Sequence, residues 1–373
     1  MTTVTTSADE LRRRMVEQLI HDGALRSREW RAAFEAVPRE LFVPSFTTRT
    51  ASEPVTYREG DPGYLEAVYA NSSLNTQYDE HGTATSSSSQ PAMMALMVEA
   101  LAPASDTLPV LDLGTGPGYN AALLSHRYGS QRVVTRDVDP ALVATAADHL
   151  AAAGYAPTLT VGDGAEGCPE HAPYGALIAT YGIGRIPDAW RVQVARGGNI
   201  VANIGNGLIS LTLGDHGLAT GRFLPTIAAF MTARATPGNA PAPARTYAGK
   251  LANADGDMHE IELPVALDEE MPRFLGALSQ PDVVELSLIV EERKVYGLVH
   301  PDSESWARIT PRGDGTARLD RGGPRDLWTE RAPLLRGWNK AGKPSADAYS
   351  LTVHPDGRHE LTLGDARRWA LPA

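Results

Sequence analysis

The chain has 373 residues, with 34 Lys and Arg against 45 Asp and Glu and a formal charge of −11; it repels a polyphosphate backbone, and no Lys/Arg-rich block offsets this, which argues against a nucleic-acid substrate. Hydrophobic residues make up 42%, with 35 Gly and 27 Pro, the balance of an ordinary globular protein rather than a low-complexity one. The single cysteine, Cys168, allows no intramolecular disulfide or cysteine-based metal site, and neither an export signal nor a membrane-spanning stretch is visible, so a cytoplasmic protein without metal or membrane contact is expected.

Ser7 and Glu10 have the spacing of a capping box, and behind them Leu11, Met15, Leu19 and Ile20 recur at helical intervals, which predicts a helix over 9–21. A second helix is expected over 28–36. It stops before Val37-Pro38-Arg39-Glu40-Leu41-Phe42-Val43-Pro44, whose prolines favour extended or turn backbone. The polar segment 45–89 predicts loops and short strands that cover something.

From Met93 to Leu101 the pattern is that of an amphipathic helix, and a β-run follows at 110–113. Helices over 120–128 and 141–153 then alternate with strands at 132–135, 158–161, 176–180 and 199–203. Such alternation implies a parallel sheet covered on both faces. After 209–213 the strands become short, and Thr236 to Pro243 sits in a linker rich in Pro and Ala. Strand-like pieces at 284–290 and 349–353 predict a β-rich final unit.

The strand ending at Leu113 runs into Gly114-Thr115-Gly116-Pro117-Gly118-Tyr119 and a helix. Glycines here let the backbone approach a ligand, and the N–H groups of the helix start face it. Tyr119 stands out of step with the dinucleotide fingerprint, which argues against an oxidoreductase, and no lysine follows at the P-loop position. Asp137, ending the next strand, can bind ribose hydroxyls, and Asp163, ending the third, can accept the amino proton of adenine. Asp139 before Pro140 reads equally well as a helix cap.

These residues resemble protein-L-isoaspartate O-methyltransferases. The motifs are Val37-Pro38-Arg39 with Phe42-Val43-Pro44, Ser89-Gln90-Pro91, Leu113 to Tyr119, and Gly162-Asp163-Gly164 with Pro169-Glu170-His171-Ala172-Pro173-Tyr174, over roughly residues 10–210. The layout is similar to the family branch that accompanies ATP-grasp ligases in maturing ester-crosslinked peptides, the graspetides. Gly63-Tyr64-Leu65-Glu66-Ala67-Val68-Tyr69, Leu74-Asn75-Thr76-Gln77, Ser86 to Pro91 and Gly221-Arg222-Phe223-Leu224-Pro225 carry that likeness.

The resemblance implies an α/β fold with a Rossmann-like class I methyltransferase sheet, an N-terminal helical cover and a β-rich C-terminal domain. The expected division is 1–90 for the cover and substrate loops, 91–233 for the core that binds S-adenosyl-L-methionine, 234–245 for the linker and 246–373 for an accessory domain that recognises peptide. The expected cofactor set is Asp112, Gly114, Thr115, Gly116, Gly118, Tyr119, Asp137, Val138, Asp163, Gly164 and Thr180.

Methyl transfer to a carboxylate needs neither metal nor covalent intermediate, since the nucleophile is already anionic; alignment and shielding dominate. Ser89, by the resemblance, or Ser88 is expected to orient the substrate carboxylate with a hydroxyl. In the repair enzymes Ile usually precedes the catalytic serine, so Ser88 points to an altered substrate pocket. His81 is expected on the surface and Cys168 as a buried filler. The expected function is methylation of an aspartate side chain in a crosslinked precursor peptide, leading to aspartimide and isoaspartate. A lanthipeptide substrate, isoaspartate repair and non-catalytic cofactor binding are the alternatives.

Overall fold

The computed structural model describes residues 7–49, 53–237, 242–263, 265–364 and 367–372. Ser7 accepts the Glu10 amide (3.2 Å) to open α1 (Ala8–His21), and Ser27 accepts that of Trp30 (3.4 Å) to open α2 (Arg28–Ala36). The bracketing prolines after α2 enclose a short 3₁₀ turn, Arg39–Phe42.

The covering segment is a four-stranded sheet. It comprises β1 (Ser45–Arg49), β2 (Pro54–Arg58), β3 (Leu74–Tyr78) and β4 (Ala84–Ser88), with the short helix α3 (Tyr64–Val68) between β2 and β3. The order β2-β1-β3-β4 leaves β4 on an edge, above the catalytic half.

That half runs α4 (Pro91–Glu99), β5 (Val110–Leu113), α5 (Tyr119–Tyr128), β6 (Val133–Asp137), α6 (Pro140–Ala152), β7 (Thr158–Val161), β8 (Tyr174–Ile183), α7 (Asp188–Gln193), β9 (Val194–Ile204), β10 (Gly207–Leu213) and β11 (Ala219–Ile227). Strands β7, β6, β5, β8 and β9 are parallel neighbours, while β10 and β11 add on antiparallel. Both faces of the central strands are buried. Val110, Ala176, Ile178 and Val201 pack with α1, α2, α4 and α5; their neighbours Leu111, Leu177, Ala179 and Ile200 face the opposite cluster, as alternation along a strand requires.

The remaining chain forms α8 (Ala248–Asn253), β12 (Asp257–Glu262), α9 (Glu270–Ser279), β13 (Val284–Val290), β14 (Arg293–His300), β15 (Ser305–Pro311), β16 (Thr316–Gly322), α10 (Leu327–Lys340), β17 (Tyr349–Val353), β18 (His359–Leu363) and β19 (Arg367–Ala370). Strands β12 to β16 make an antiparallel sheet in the order β12-β16-β15-β14-β13.

Two expectations need correction here. The core sheet is mixed rather than parallel throughout, has ten strands, and extends beyond residue 233. Residues 246–373 are not one separable domain either, because β17 pairs with β11 from Ala219↔Val353 to Arg222↔Ser350 and carries β18 and β19 onto the core sheet. An exposed edge at β11 needs covering, and the alternating burial of 349–353 supplies a strand for it. Leu351 and Val353 accordingly share one apolar cluster with Leu211, Phe223, Phe274 and Trp328. Of the expected linker, residues 238–241 lie outside the described residues.

Candidate functional site

Three glycines turn the chain between β5 and α5 with positive φ: Gly114 (89°), Gly116 (50°) and Gly118 (99°). L side chains rarely adopt this backbone. At Gly114 a Cβ would also lie 2.9 Å from the Tyr181 ring. The loop is tied to the next strand, since Gly114 N–H donates to the Arg136 carbonyl (2.9 Å) and Gly116 N–H to Asp137 Oδ2 (2.9 Å).

Above this loop lies a cavity of about 550 Å³. Gly114, Gly116, Asp137, Val138, Asp163, Gly164, Thr180 and Ser89 of the expected set line it together. A glycine cradle with two carboxylates at successive strand ends fits a nucleoside cofactor with an amino-acid arm, and the volume is that of a small-molecule site. Asp137 also accepts the Asp139 amide (3.2 Å); burial pushes its carboxyl up, and the two amide bonds pull it back. Asp163 accepts the Ala165 amide (2.9 Å) and starts a 3₁₀ turn, while Asp139 caps α6 through the Ala141 amide (2.8 Å).

Asp112, Thr115, Gly118 and Tyr119 are not on the cavity wall. Asp112, fully buried, accepts from Asn120 Nδ2 (2.6 Å) and Thr135 Oγ1 (2.8 Å), and the Thr135 hydroxyl meets that of Thr115 at 2.7 Å. Burial pushes the Asp112 carboxyl up to about 7 against those hydrogen bonds. This network braces the loop from behind. Gly118 starts α5, and the Tyr119 ring is buried edge-on to Phe34 and Phe42.

The two candidate serines part company at the end of β4. Ser89 lines the cavity; Ser88 is 2% exposed, and its Oγ accepts from Arg39 Nε at 3.2 Å. Ser88 is therefore bound to the protein interior and is not on the cavity wall. Arg39 is itself fully buried and donates to the carbonyls of Val68 (2.7 Å), Ala70 (3.3 Å), Ser72 (3.2 Å), Ser88 (3.2 Å) and Ser89 (3.0 Å). Desolvation lowers it to about 10, so it remains a cation near neutral pH. It fixes the backbone that presents Ser89. The sequence held a signal for this role, a lone cation in the apolar run 37–43, where a buried charge must find several acceptors.

Sequence reasoning also missed the far wall. From the last residue of β11 onward, residues 227–234 line the cavity together with Ser73, Thr85, Ser86 and Ser87. His81 is exposed and Cys168 buried. Among the described residues no cluster of His, Cys, Asp and Glu is arranged to hold a metal, and no helix is long and apolar enough to cross a membrane.

Residues 10–215 match the sequence family described as Protein-L-isoaspartate(D-aspartate) O-methyltransferase (PCMT), more than half of the chain. The protein-L-isoaspartate O-methyltransferase of Hyperthermus butylicus is 34% identical over 207 residues, 53% of this chain and 76% of that protein. That of Picosynechococcus is 35% identical over 198 residues, 52% and 77% of the two chains. A solved protein-L-isoaspartate O-methyltransferase shares the fold with a TM-score of 0.55 at 23% identity, over 95% of this chain and 100% of its own. S-adenosyl-L-methionine is the cofactor, and carboxyl O-methylation is the reaction class. The chain belongs to the protein-L-isoaspartate(D-aspartate) O-methyltransferase family.

Proposed function

We propose that the protein methylates an aspartate side-chain carboxylate in a ribosomally made, ester-crosslinked precursor peptide of the graspetide class, after an ATP-grasp ligase has formed the crosslinks. The observation that supports this reading is the run of small side chains on the cavity wall. Ser73, Ser86, Ser87, Ser89, Ala228, Ala229 and Ala233 line the cavity with small side chains. Such a wall leaves room for a constrained ring.

S-adenosyl-L-methionine, when bound, supplies an electrophilic methyl group. Asp137 and Asp163 would hold the nucleoside by its hydroxyls and amino group, and the glycine loop lines the same cavity. Ser89 donates its hydroxyl to one oxygen of the incoming carboxylate and leaves the other free to attack, while the 227–234 segment limits access of water. In the released ester the backbone amide nitrogen of the following residue attacks the side-chain carbonyl. The amide proton leaves with the methoxy group as methanol, and an aspartimide closes; its hydrolysis gives aspartate and isoaspartate.

Isoaspartate repair is favoured by the names of the relatives, and the match over nearly the whole chain to a solved protein of that name means that the C-terminal region is not in itself a mark of peptide biosynthesis. Mass spectrometry separates the readings. Crosslinked peptide incubated with enzyme and cofactor should gain a methyl group and then lose methanol, a net loss of one water, while the linear peptide reacts far more slowly. A ring holds its aspartate in few conformations, so less ordering opposes the attack geometry. Equal rates on both forms, or efficient methylation of simple isoaspartyl peptides, would refute the biosynthetic reading. A preference for thioether over ester rings would move the substrate to the lanthipeptides.

A further inference from the structure

The segment 228–234 is held at three points of different kinds. At its start the Ala228 amide donates to the Asn206 carbonyl (2.7 Å), and Asn203 Nδ2 donates to the Ala228 carbonyl (2.7 Å). In its middle Gly182 N–H donates to the Met231 carbonyl and Ala233 N–H to the Gly182 carbonyl, both at 2.8 Å, so the segment briefly becomes a parallel neighbour of the end of β8. These anchors join it to the core sheet on one side of the cavity. The third anchor is a side chain: Arg234 reaches over to the opposite wall, where Nη2 donates to the Thr85 carbonyl on edge strand β4.

Thr85 lies toward the nucleoside end. Its hydroxyl donates to Gln77 Oε1 (2.7 Å), and Gln77 Nε2 donates to Asp139 Oδ2 (2.9 Å), two residues beyond Asp137. The charge of Arg234 is felt at Asp137, where it pulls the carboxyl down against burial. Only two cations line the cavity among the described residues, and the other, Arg136, is near Glu166 (3.6 Å) and Glu170 (3.9 Å). Arg234 forms no ion pair with a described residue, and one bond to Thr85 leaves most of its five N–H donors uncommitted.

We propose that Arg234 is a cofactor-positioning residue, a clasp that closes the 228–234 segment over the ribose by bridging to Thr85 and opens to let S-adenosylhomocysteine leave. Two of the three anchors are made with the core sheet, and a single flexible side chain spans the mouth. Opening then requires Arg234 to give up the Thr85 carbonyl, while the two anchors on the core sheet keep the segment attached. The inference depends on the cofactor and not on which peptide is methylated.

Rapid-mixing displacement of bound S-adenosylhomocysteine tests it without turnover. Loss of a charge-assisted hydrogen bond corresponds to roughly tenfold or more, so Arg234→Met should release the ligand about tenfold faster. Arg234→Lys keeps the charge and a donor, and its release should be intermediate; it also serves if the Met variant does not fold. The KM for peptide should stay near that of the unaltered enzyme. Unchanged release in both variants would overturn the proposal. So would a raised peptide KM with release unchanged, which would make Arg234 a reader of the peptide.

Discussion

Asp137 Oδ2 accepts the backbone N–H of Gly116 at 2.9 Å, so the carboxylate expected to hold the ribose also fixes the glycine loop. Asp137→Ala removes both. Its affinity for S-adenosylhomocysteine should fall at least tenfold, since each charge-assisted bond contributes roughly 1.5–3 kcal/mol. Asp137→Asn, which keeps one carbonyl acceptor, should fall between. Unchanged calorimetric affinity in folded Asp137→Ala would contradict the assignment.

Ser88 and Ser89 should respond to substitution in opposite ways. Ser89→Ala is expected to lower kcat with cofactor affinity intact, because its hydroxyl is assigned to the substrate. Ser88→Ala takes an acceptor from Arg39 and should lower stability by about 1 kcal/mol with little change in kcat. Melting curves and steady-state rates on the two variants distinguish this pattern from its reverse.

Arg39 should be intolerant of replacement. Without its guanidinium the carbonyls of Val68, Ser72, Ser88 and Ser89 lose a buried donor, at roughly 1–3 kcal/mol for each group left unpaired. Arg39→Ala should therefore lose several kcal/mol in denaturant titration. Arg39→Lys should recover only part, because an ammonium group cannot reproduce the planar fork.

Asp112 and His359 predict opposing pH dependences. Burial raises Asp112 from 3.8 to about 7, so its stabilising contribution is present at low pH and is lost as pH rises through 7. His359 is 4% exposed, and its Nε2 accepts the Ile186 amide at 3.0 Å. Burial lowers its pKa below the ordinary 6.5, so its contribution is present above that value and is lost on acidification. As pH falls below 6.5 the two effects oppose each other. Melting temperature should fall toward acid in Asp112→Asn and rise toward acid in His359→Gln; parallel profiles in the two variants would disprove this.

The catalytic half was legible because its signals are local. Capping serines, strand–helix alternation and glycines before a helix each act within a few residues, and Gly114, Gly116, Asp137 and Asp163 meet at one cavity as their strand-end positions implied. What stayed hidden is pairing between distant segments. Nothing in the pattern of 349–353 names β11 as its partner, and Arg39 meets the carbonyls of Ser88 and Ser89 only once the covering sheet is folded. Ser88 and Ser89 are equivalent in sequence, and only this buried arginine makes them different. Asp112, Thr115 and Tyr119 look like ligand residues by position, yet all three are buried and off the cavity wall.

The pairing of β11 with β17 also bears on how the protein is made. During synthesis the glycine loop, both carboxylates and the covering sheet emerge while β11 still presents an open edge, and its partner at Tyr349–Val353 follows only after the whole of β12 to α10. Contacts so far apart in sequence form slowly, and an unpaired edge is a template for association with another nascent copy. Strands translated long after the catalytic half therefore protect its edge.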